Sequence, residues 1–175
     1  MKINSVLRRG TVASLLFAVT IIQPVALSGM AASRNDFAAV TDPEAVYQGA
    51  RIVHNVTVNG KKGMRVHAKF TVKDGYDVSC RMIAYFYYDD SDNTPLKGSD
   101  ARYRTKNGNV SAYTNFTPKY DPAVYNDLQI FIPYEALNME SGDEYDLKFY
   151  LALYDNEGER FFGKSGWYKF QLTMP

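Results

Sequence analysis

The chain has 175 residues, which is enough for one ordinary globular domain and a short leader. Its 20 basic and 19 acidic residues are spread along the whole length and leave a formal net charge of +1. This balance argues against a nucleic-acid-binding surface and against strong attraction to anionic lipid. The single cysteine, Cys80, excludes an internal disulfide, so packing alone must hold the fold.

Residues 1–31 have the three zones of a secretory signal peptide. A basic start without acidic residues is followed by an uncharged stretch over residues 12–27, and small side chains at Gly29 and Ala31 mark a cleavage site. The uncharged stretch is too short and too interrupted to require a membrane span. We therefore predict an exported protein, located in the periplasm or outside the cell, with no stable membrane insertion.

The rest of the chain divides into a predicted N-terminal arm, residues 32–50, and a domain, residues 51–175. The domain opens with apolar and polar side chains in alternation, which is the period of a β-strand. Asn59 and Gly60 separate two such strands and predict a hairpin. The second strand alternates cleanly over residues 64–72, as expected for a strand with one buried and one solvated face.

A third strand is predicted over residues 79–88, and both of its faces are apolar or aromatic. Such a strand is central, and its outer face is either covered or used for contact. Further alternating segments follow at residues 101–105, 110–116, 128–132, 145–153, 160–162 and 167–173. The first two of these are predicted to form a hairpin. The predicted fold is all-β: a single antiparallel β-sandwich of about eight strands, Ig-like or C2-like, after a cleavable signal peptide.

The region from residue 52 to the C-terminus resembles small secreted bacterial β-sandwich domains, which are sometimes appended to larger proteins such as caspase-like peptidases. The likeness rests on the segments VNGKKGM at residues 58–64, YFYY at 85–88, FTP at 116–118 and YDLKFY at 145–150. None of these is a catalytic motif. The resemblance implies an Ig-like or C2-like sandwich that acts as an accessory or interaction module, and it transfers no site residues.

The chain has only two histidines, His54 and His67. Strand alternation predicts that they lie on opposite faces of the sheet, which disfavours a shared metal or a proton relay. We expect His67 to be solvated and His54 to be partly buried. Neither histidine has a neighbouring nucleophile in a strained turn, and the acidic residues lie in turns without an obvious cleft. We therefore predict that the protein is not an enzyme and that it requires no cofactor.

Asp89, Asp90 and Asp92 lie in an acidic loop rich in turn-forming residues. Hard oxygen ligands in a loop at the edge of a sandwich are typical of the calcium sites of C2-type folds. The spacing is not that of an EF-hand, because the sixth-position glycine and the distant glutamate are missing. Two interpretations stay open: a calcium site, and a solvated loop in which the aspartates form turns.

The 14 tyrosines exceed what a core of this size needs, and tyrosine keeps one polar end in water. Tyr85 and Tyr87 share the non-core face of the third strand. The other candidates for the same face are Tyr103, Tyr113, Tyr150 and Trp167.

Exposed rings can anchor a protein partner or stack on a sugar ring, whereas rings under a second layer of the fold only pack. Our first hypothesis is an exported, non-catalytic domain that recognises a protein or a cell-envelope component through this aromatic face. The alternatives are a carbohydrate-binding module and a calcium-dependent C2-like binding domain.

Overall fold

The computed structural model describes residues 42–175 of the chain. The predicted signal peptide, residues 1–31, lies outside the described residues. The elements are, in order, β1 (Glu44–Val58), β2 (Lys61–Lys73), β3 (Cys80–Tyr88), a 3₁₀ turn (Ala101–Tyr103), β4 (Ser111–Phe116), β5 (Ala123–Pro133), a second 3₁₀ turn (Tyr134–Leu137), β6 (Glu144–Asp155), β7 (Arg160–Lys164) and β8 (Tyr168–Thr173). In residues 42–175 no helix is long and apolar enough to cross a membrane.

The eight strands form two antiparallel sheets. One sheet has the order β1-β2-β5, and the other has the order β4-β3-β6-β7. β8 also pairs with β6, so the free side of β6 is covered by β8 along its first half and by β7 along its second half. The prediction of an all-β sandwich with about eight strands is confirmed.

One face of each sheet contributes to a single buried core. In β2 and β3 every second side chain is buried, which is the alternation that the sequence predicted. Phe70 of the three-stranded sheet meets Phe116 of the five-stranded sheet across the core, with ring centroids 5.6 Å apart. Cys80 is fully buried at the start of β3, and burial raises the pKa of its thiol to about 12.

β1 starts earlier than the predicted domain boundary. Residues 44–50, which we predicted to belong to the N-terminal arm, pair with β2, beginning with Glu44 opposite Lys73. Ala45 and Tyr47 are partly buried against the core. The apolar contacts of these two side chains explain why the segment joins the sheet although its composition is small and polar.

The hairpin predicted over residues 101–116 is not a hairpin of two strands. Residues 101–103 form a 3₁₀ turn, whose N-terminus is capped by Asp100 accepting a hydrogen bond from the Arg102 amide at 3.0 Å. Pairing across the turn is limited to a single bridge between Arg104 and Val110. β4 pairs with β3 instead, and this pairing buries Ala112 and Phe116 in the core.

His54 lies where β1 changes register. The pairing with β2 is irregular between Val53 and Val56, so the alternation that assigned His54 to a face is interrupted there. Its ring centroid lies 6.1 Å from that of Phe170, and its Nδ1 is buried without a hydrogen-bond partner among the described residues. This desolvation lowers the pKa of His54, in agreement with a partly buried imidazole.

Candidate binding site

The candidate site lies on the outer face of the five-stranded sheet, where β3 and β6 run side by side. Since Ala84 and Phe86 point into the core, Tyr85 and Tyr87 point outward from β3. On β6, Tyr150 is the direct cross-strand partner of Tyr85. Residues in register on adjacent strands share a face, so the three phenol rings stand together on the outside of the sandwich.

These three tyrosines and Trp167 form the aromatic cluster. Tyr150 lies at its centre: its ring centroid is 5.1 Å from that of Tyr85, 5.8 Å from that of Tyr87 and 5.2 Å from that of Trp167. The indole is nearly perpendicular to Tyr87 and Tyr150, at 80° and 86°. Stacked and edge-to-face pairs at these distances are the favourable geometries for aromatic rings. The rings therefore hold one another in place without a ligand.

Trp167 is positioned by the break between β7 and β8. In this break the backbone N–H of Ser165 donates to the Leu151 carbonyl at 2.9 Å, and the Leu151 N–H donates to Ser165 Oγ at 2.8 Å. Beneath the indole, Lys148 is almost fully buried and donates to the Asp90 carbonyl at 2.8 Å, with its Nζ 5.2 Å from the Trp167 ring centroid. The anchored backbone before Trp167 and the contact with Lys148 thus hold a side chain that is still 42 % exposed.

A cleft of about 600 Å³ opens beside the cluster, and we call it the aromatic cleft. Its floor is formed by the tyrosines and Ala152, and its walls by β7 and by the loop over residues 105–109; the lining residues are Tyr85, Tyr87, Thr105, Asn107, Asn109, Tyr150, Ala152, Phe161, Gly163 and Lys164. Phe161, on the wall, is 58 % exposed. An open, mostly apolar cleft with a few amide and hydroxyl groups is the usual form of a ligand site.

The loop wall of the aromatic cleft is held by its own hydrogen bonds. The Thr105 N–H donates to the Asn109 carbonyl at 2.8 Å, and the Gly108 N–H donates to the Thr105 carbonyl at 3.0 Å. Lys97 Nζ donates to Asn109 Oδ1 at 2.5 Å. The wall is therefore formed before any ligand arrives, which lowers the entropic cost of binding.

The cleft contains neutral phenols and one cation. Burial raises the pKa of Tyr150 and of Tyr85, so both hydroxyls stay protonated at neutral pH and can donate hydrogen bonds. Lys164 Nζ lies 4.3 Å from the Tyr150 ring centroid, a cation–π distance. Among the described residues, Lys164 forms no ion pair with a carboxylate.

The structure brings together three of the five aromatic residues proposed for binding. Tyr85, Tyr87 and Trp167 are neighbours, and none of them is buried. Tyr103 and Tyr113 do not join the cluster; both line a separate groove of about 440 Å³ near the edge where β4 lies against β5. Tyr113 sits on the edge strand, under the Arg81 guanidinium at 4.4 Å, and Tyr103 belongs to the first 3₁₀ turn.

The acidic loop does not collect its carboxylates into one site. Asp89 pairs with Lys169 at 2.9 Å and with Lys148 at 3.6 Å, and these contacts, Lys169 first, lower the pKa of the Asp89 carboxyl. Asp90 accepts from the Thr94 N–H at 3.0 Å, as a turn-forming aspartate does, and Asp92 is exposed. In residues 42–175 no group of three or more His, Cys, Asp or Glu side chains is arranged to hold a metal ion. The calcium interpretation therefore gains no support from this loop.

The sequence did not indicate two wall residues of the cleft, Phe161 and Lys164, because their position depends on the pairing of β7 with the second half of β6. The expectation that His67 is solvated was also wrong. The His67 side chain is only 12 % exposed, and its Nδ1 lies 2.6 Å from Asp127 Oδ1 on β5. Nothing in the sequence links two residues that are 60 positions apart.

The described residues form an all-β sandwich with an aromatic cluster and a cleft on the outer face of one sheet. No protein-family model matches this chain, and no curated protein is similar enough to count as a relative. The resemblance to secreted bacterial accessory domains therefore stays a prediction from the segments that suggested it.

Proposed function

We propose that this protein is an exported, non-catalytic binding domain and that its aromatic cleft recognises a segment of a protein or cell-envelope partner. The observation that supports this proposal is a preformed cleft with an aromatic floor and an exposed phenylalanine on one wall. Aromatic side chains that are already ordered give large contact area at low entropic cost, which is why they dominate binding energy at interfaces. Export is proposed from the character of residues 1–31 alone.

The arrangement of the rings favours a protein segment over a flat sugar. Tyr85 and Tyr150 stack on each other at an interplanar angle of 27°, and the Lys164 ammonium lies over Tyr150, so these ring faces are engaged within the domain. The cleft offers a ligand the exposed Phe161 ring, phenol hydroxyls and the side chain of Asn107. An apolar side chain flanked by peptide groups matches this combination of surfaces.

A glycan is the second candidate, and the exposure of Trp167 favours it. An exposed indole beside a cleft with polar groups on its wall can stack on a sugar ring. A coplanar row of rings, which would present a longer stacking surface, is not formed, because the indole is perpendicular to its tyrosine neighbours.

The proposal is tested by site-specific photocrosslinking. A photoreactive amino acid at Phe161 places the reactive group on the wall of the cleft, and we expect a discrete covalent adduct with one component of the envelope fraction. The matched control carries the same group at Tyr120, which is 77 % exposed in the loop between β4 and β5, outside the cleft. Adducts that are identical at both positions would show that the cleft has no selective partner.

Trp167 then reports on binding directly, because it is the only tryptophan in the chain. The purified partner is expected to change the Trp167 emission in a saturable manner. A Phe161→Ala variant is expected to weaken this response at least about tenfold, as the loss of an interface anchor does. If no partner is crosslinked and a glycan array binds wild type but not Trp167→Ala, the glycan assignment replaces the protein one.

A further inference from the structure

The outer face of the three-stranded sheet carries a concentration of positive charge that the near-neutral net charge conceals. Arg65, Lys69 and Lys73 point outward at every fourth position of β2, and Arg51 lies beside them on β1. Among the described residues none of these four cations forms an ion pair with a carboxylate. This face can therefore attract an anion, which the overall charge of the chain did not suggest.

Two β-bulges open a groove on this face. In β1 the pairing skips Gln48, so that Tyr47 lies opposite Phe70 and Gly49 opposite Lys69. On the other side of β2, the pairing with β5 is interrupted at the same level, next to Asp127. Bulges re-aim side chains and are frequent beside functional sites.

The resulting groove has a volume of about 450 Å³, and we call it the bulge groove. The side chains that matter for its chemistry are Gln48, Arg51, His67, Lys69, Asn126 and Asp127.

The one carboxylate of the groove is engaged by other side chains. Asp127 Oδ1 lies 2.6 Å from His67 Nδ1, and Asp127 Oδ2 accepts from Gln129 Nε2 at 2.5 Å. These two hydrogen bonds, with His67 the larger cause, lower the pKa of Asp127. The Arg51 guanidinium lies 3.4 Å from the same imidazole nitrogen. The carboxylate thus orients the His67 ring, while Arg51 and Lys69 keep donors available for a ligand.

We propose that the bulge groove binds a phosphate group carried by a ligand. Two permanent cations, Arg51 and Lys69, supply donors from two adjacent strands, and a tetrahedral phosphate can accept from both, whereas a carboxylate has oxygens for a single bidentate pair. The amides of Gln48 and Asn126 complete a polar lining. The groove is larger than a single phosphate, so it leaves room for the group that carries it. This site is on the opposite sheet from the aromatic cleft and does not depend on the function proposed for that cleft.

The test is an NMR titration of isotope-labelled protein, purified after expression of the full chain, with inorganic phosphate at constant ionic strength. We expect saturable amide shifts confined to Gly49, Arg51, Lys69 and Asn126, with a dissociation constant on the order of 1 mM for the bare ion. Succinate, a dianion with carboxylates only, is expected to bind more weakly at the same ionic strength.

Two exposed-residue variants and one control decide the assignment. Arg51→Gln and Lys69→Gln are each expected to weaken phosphate binding by about fivefold, the size of one exposed charge pair. Lys73→Gln removes a charge from the same strand and face but outside the groove, and it should leave binding unchanged. Equal weakening in all three variants would show a diffuse charge effect, and stronger binding of succinate would assign the groove to carboxylates; either result overturns the proposal, as does the absence of shifts.

Discussion

The outer faces of the two sheets are built from the same strand alternation but hold their side chains in different ways. On the five-stranded sheet the outward rings of Tyr85, Tyr87 and Tyr150 pack on one another and on Trp167. On the three-stranded sheet the outward side chains of β2 include three cations, of which Lys69 and Lys73 are exposed to water. The aromatic face is therefore a third packed layer of the domain as well as a candidate site, whereas the basic face contributes charge with little packing.

The largest difference between the faces is expected in stability. Tyr150→Ala removes the centre of the aromatic cluster and is expected to lower the free energy of unfolding by about 2 kcal/mol, less than a fully buried aromatic residue because Tyr150 is half-buried. Val124→Ala on the other face, where Val124 is 58 % exposed, should cost less than about 0.5 kcal/mol. Urea denaturation of both variants measures the contrast, and equal losses would contradict the assignment of the aromatic face as a packed layer.

The next largest effect on stability is expected at the contact between β7 and β1. A Cβ at Gly163 would lie 2.6 Å from the Cβ of Ala45, which is too close and cannot be relieved by a side-chain rotation. Gly163→Ala is therefore expected to destabilise the domain by about 1 kcal/mol. Gly166→Ala is the control, because a Cβ there meets nothing within 4 Å. If the two variants have the same thermal midpoint, β7 can move away from β1 without cost.

His54 is expected to make stability depend on pH. Desolvation lowers its pKa below the ordinary value of 6.5, so the unfolded chain binds a proton that the folded domain does not. The contribution of neutral His54 to the free energy of unfolding is therefore fully present above pH 6.5 and is lost as the pH falls below this value. His54→Asn should show a smaller loss of unfolding free energy between about pH 7.5 and about pH 5.5 than wild type. Direct NMR titration of the imidazole checks the cause: a pKa at or above the ordinary value would exclude it.

The smallest effect concerns the cation in the aromatic cleft. Lys164→Gln removes the ammonium over Tyr150 and is expected to cost about 0.5 kcal/mol, the size of an exposed cation–π contact. Lys106→Gln removes an exposed charge from the loop that precedes β4 and should be neutral. A double variant with Tyr150→Ala sharpens the result, because the effect of Lys164→Gln should vanish when the ring is gone.

The fold was predictable because period-two alternation is a local signal, and β2 and β3 show it almost without interruption. The hairpin predicted at Asn59-Gly60 is also present, and both residues adopt the positive φ that a tight hairpin requires. The errors occurred where pairing is not regular. Each bulge in β1 shifts the alternation of inward and outward side chains by one residue, and no residue type in the sequence predicts where a bulge occurs.

The candidate site was predictable only in part. Strand parity was enough to place Tyr85 and Tyr87 on one outer face, but the register that puts Tyr150 opposite Tyr85 joins residues 65 positions apart. The positions of Phe161 and Lys164 depend on the pairing of β8 with the first half of β6 and of β7 with its second half. Long-range pairings of this kind are set by the whole core, so single residues carry no signal for them.

The burial of Cys80 has a practical consequence. It is the only thiol in the sequence, it is 0 % exposed, and with its pKa near 12 it is neither accessible nor ionised at neutral pH. A cysteine introduced on the surface, for example at Lys106 beside the aromatic cleft or at Lys73 on the basic face, would therefore be the one site that a maleimide dye modifies. Distance and mobility measurements by fluorescence or spin labels can then be made on the otherwise unaltered protein.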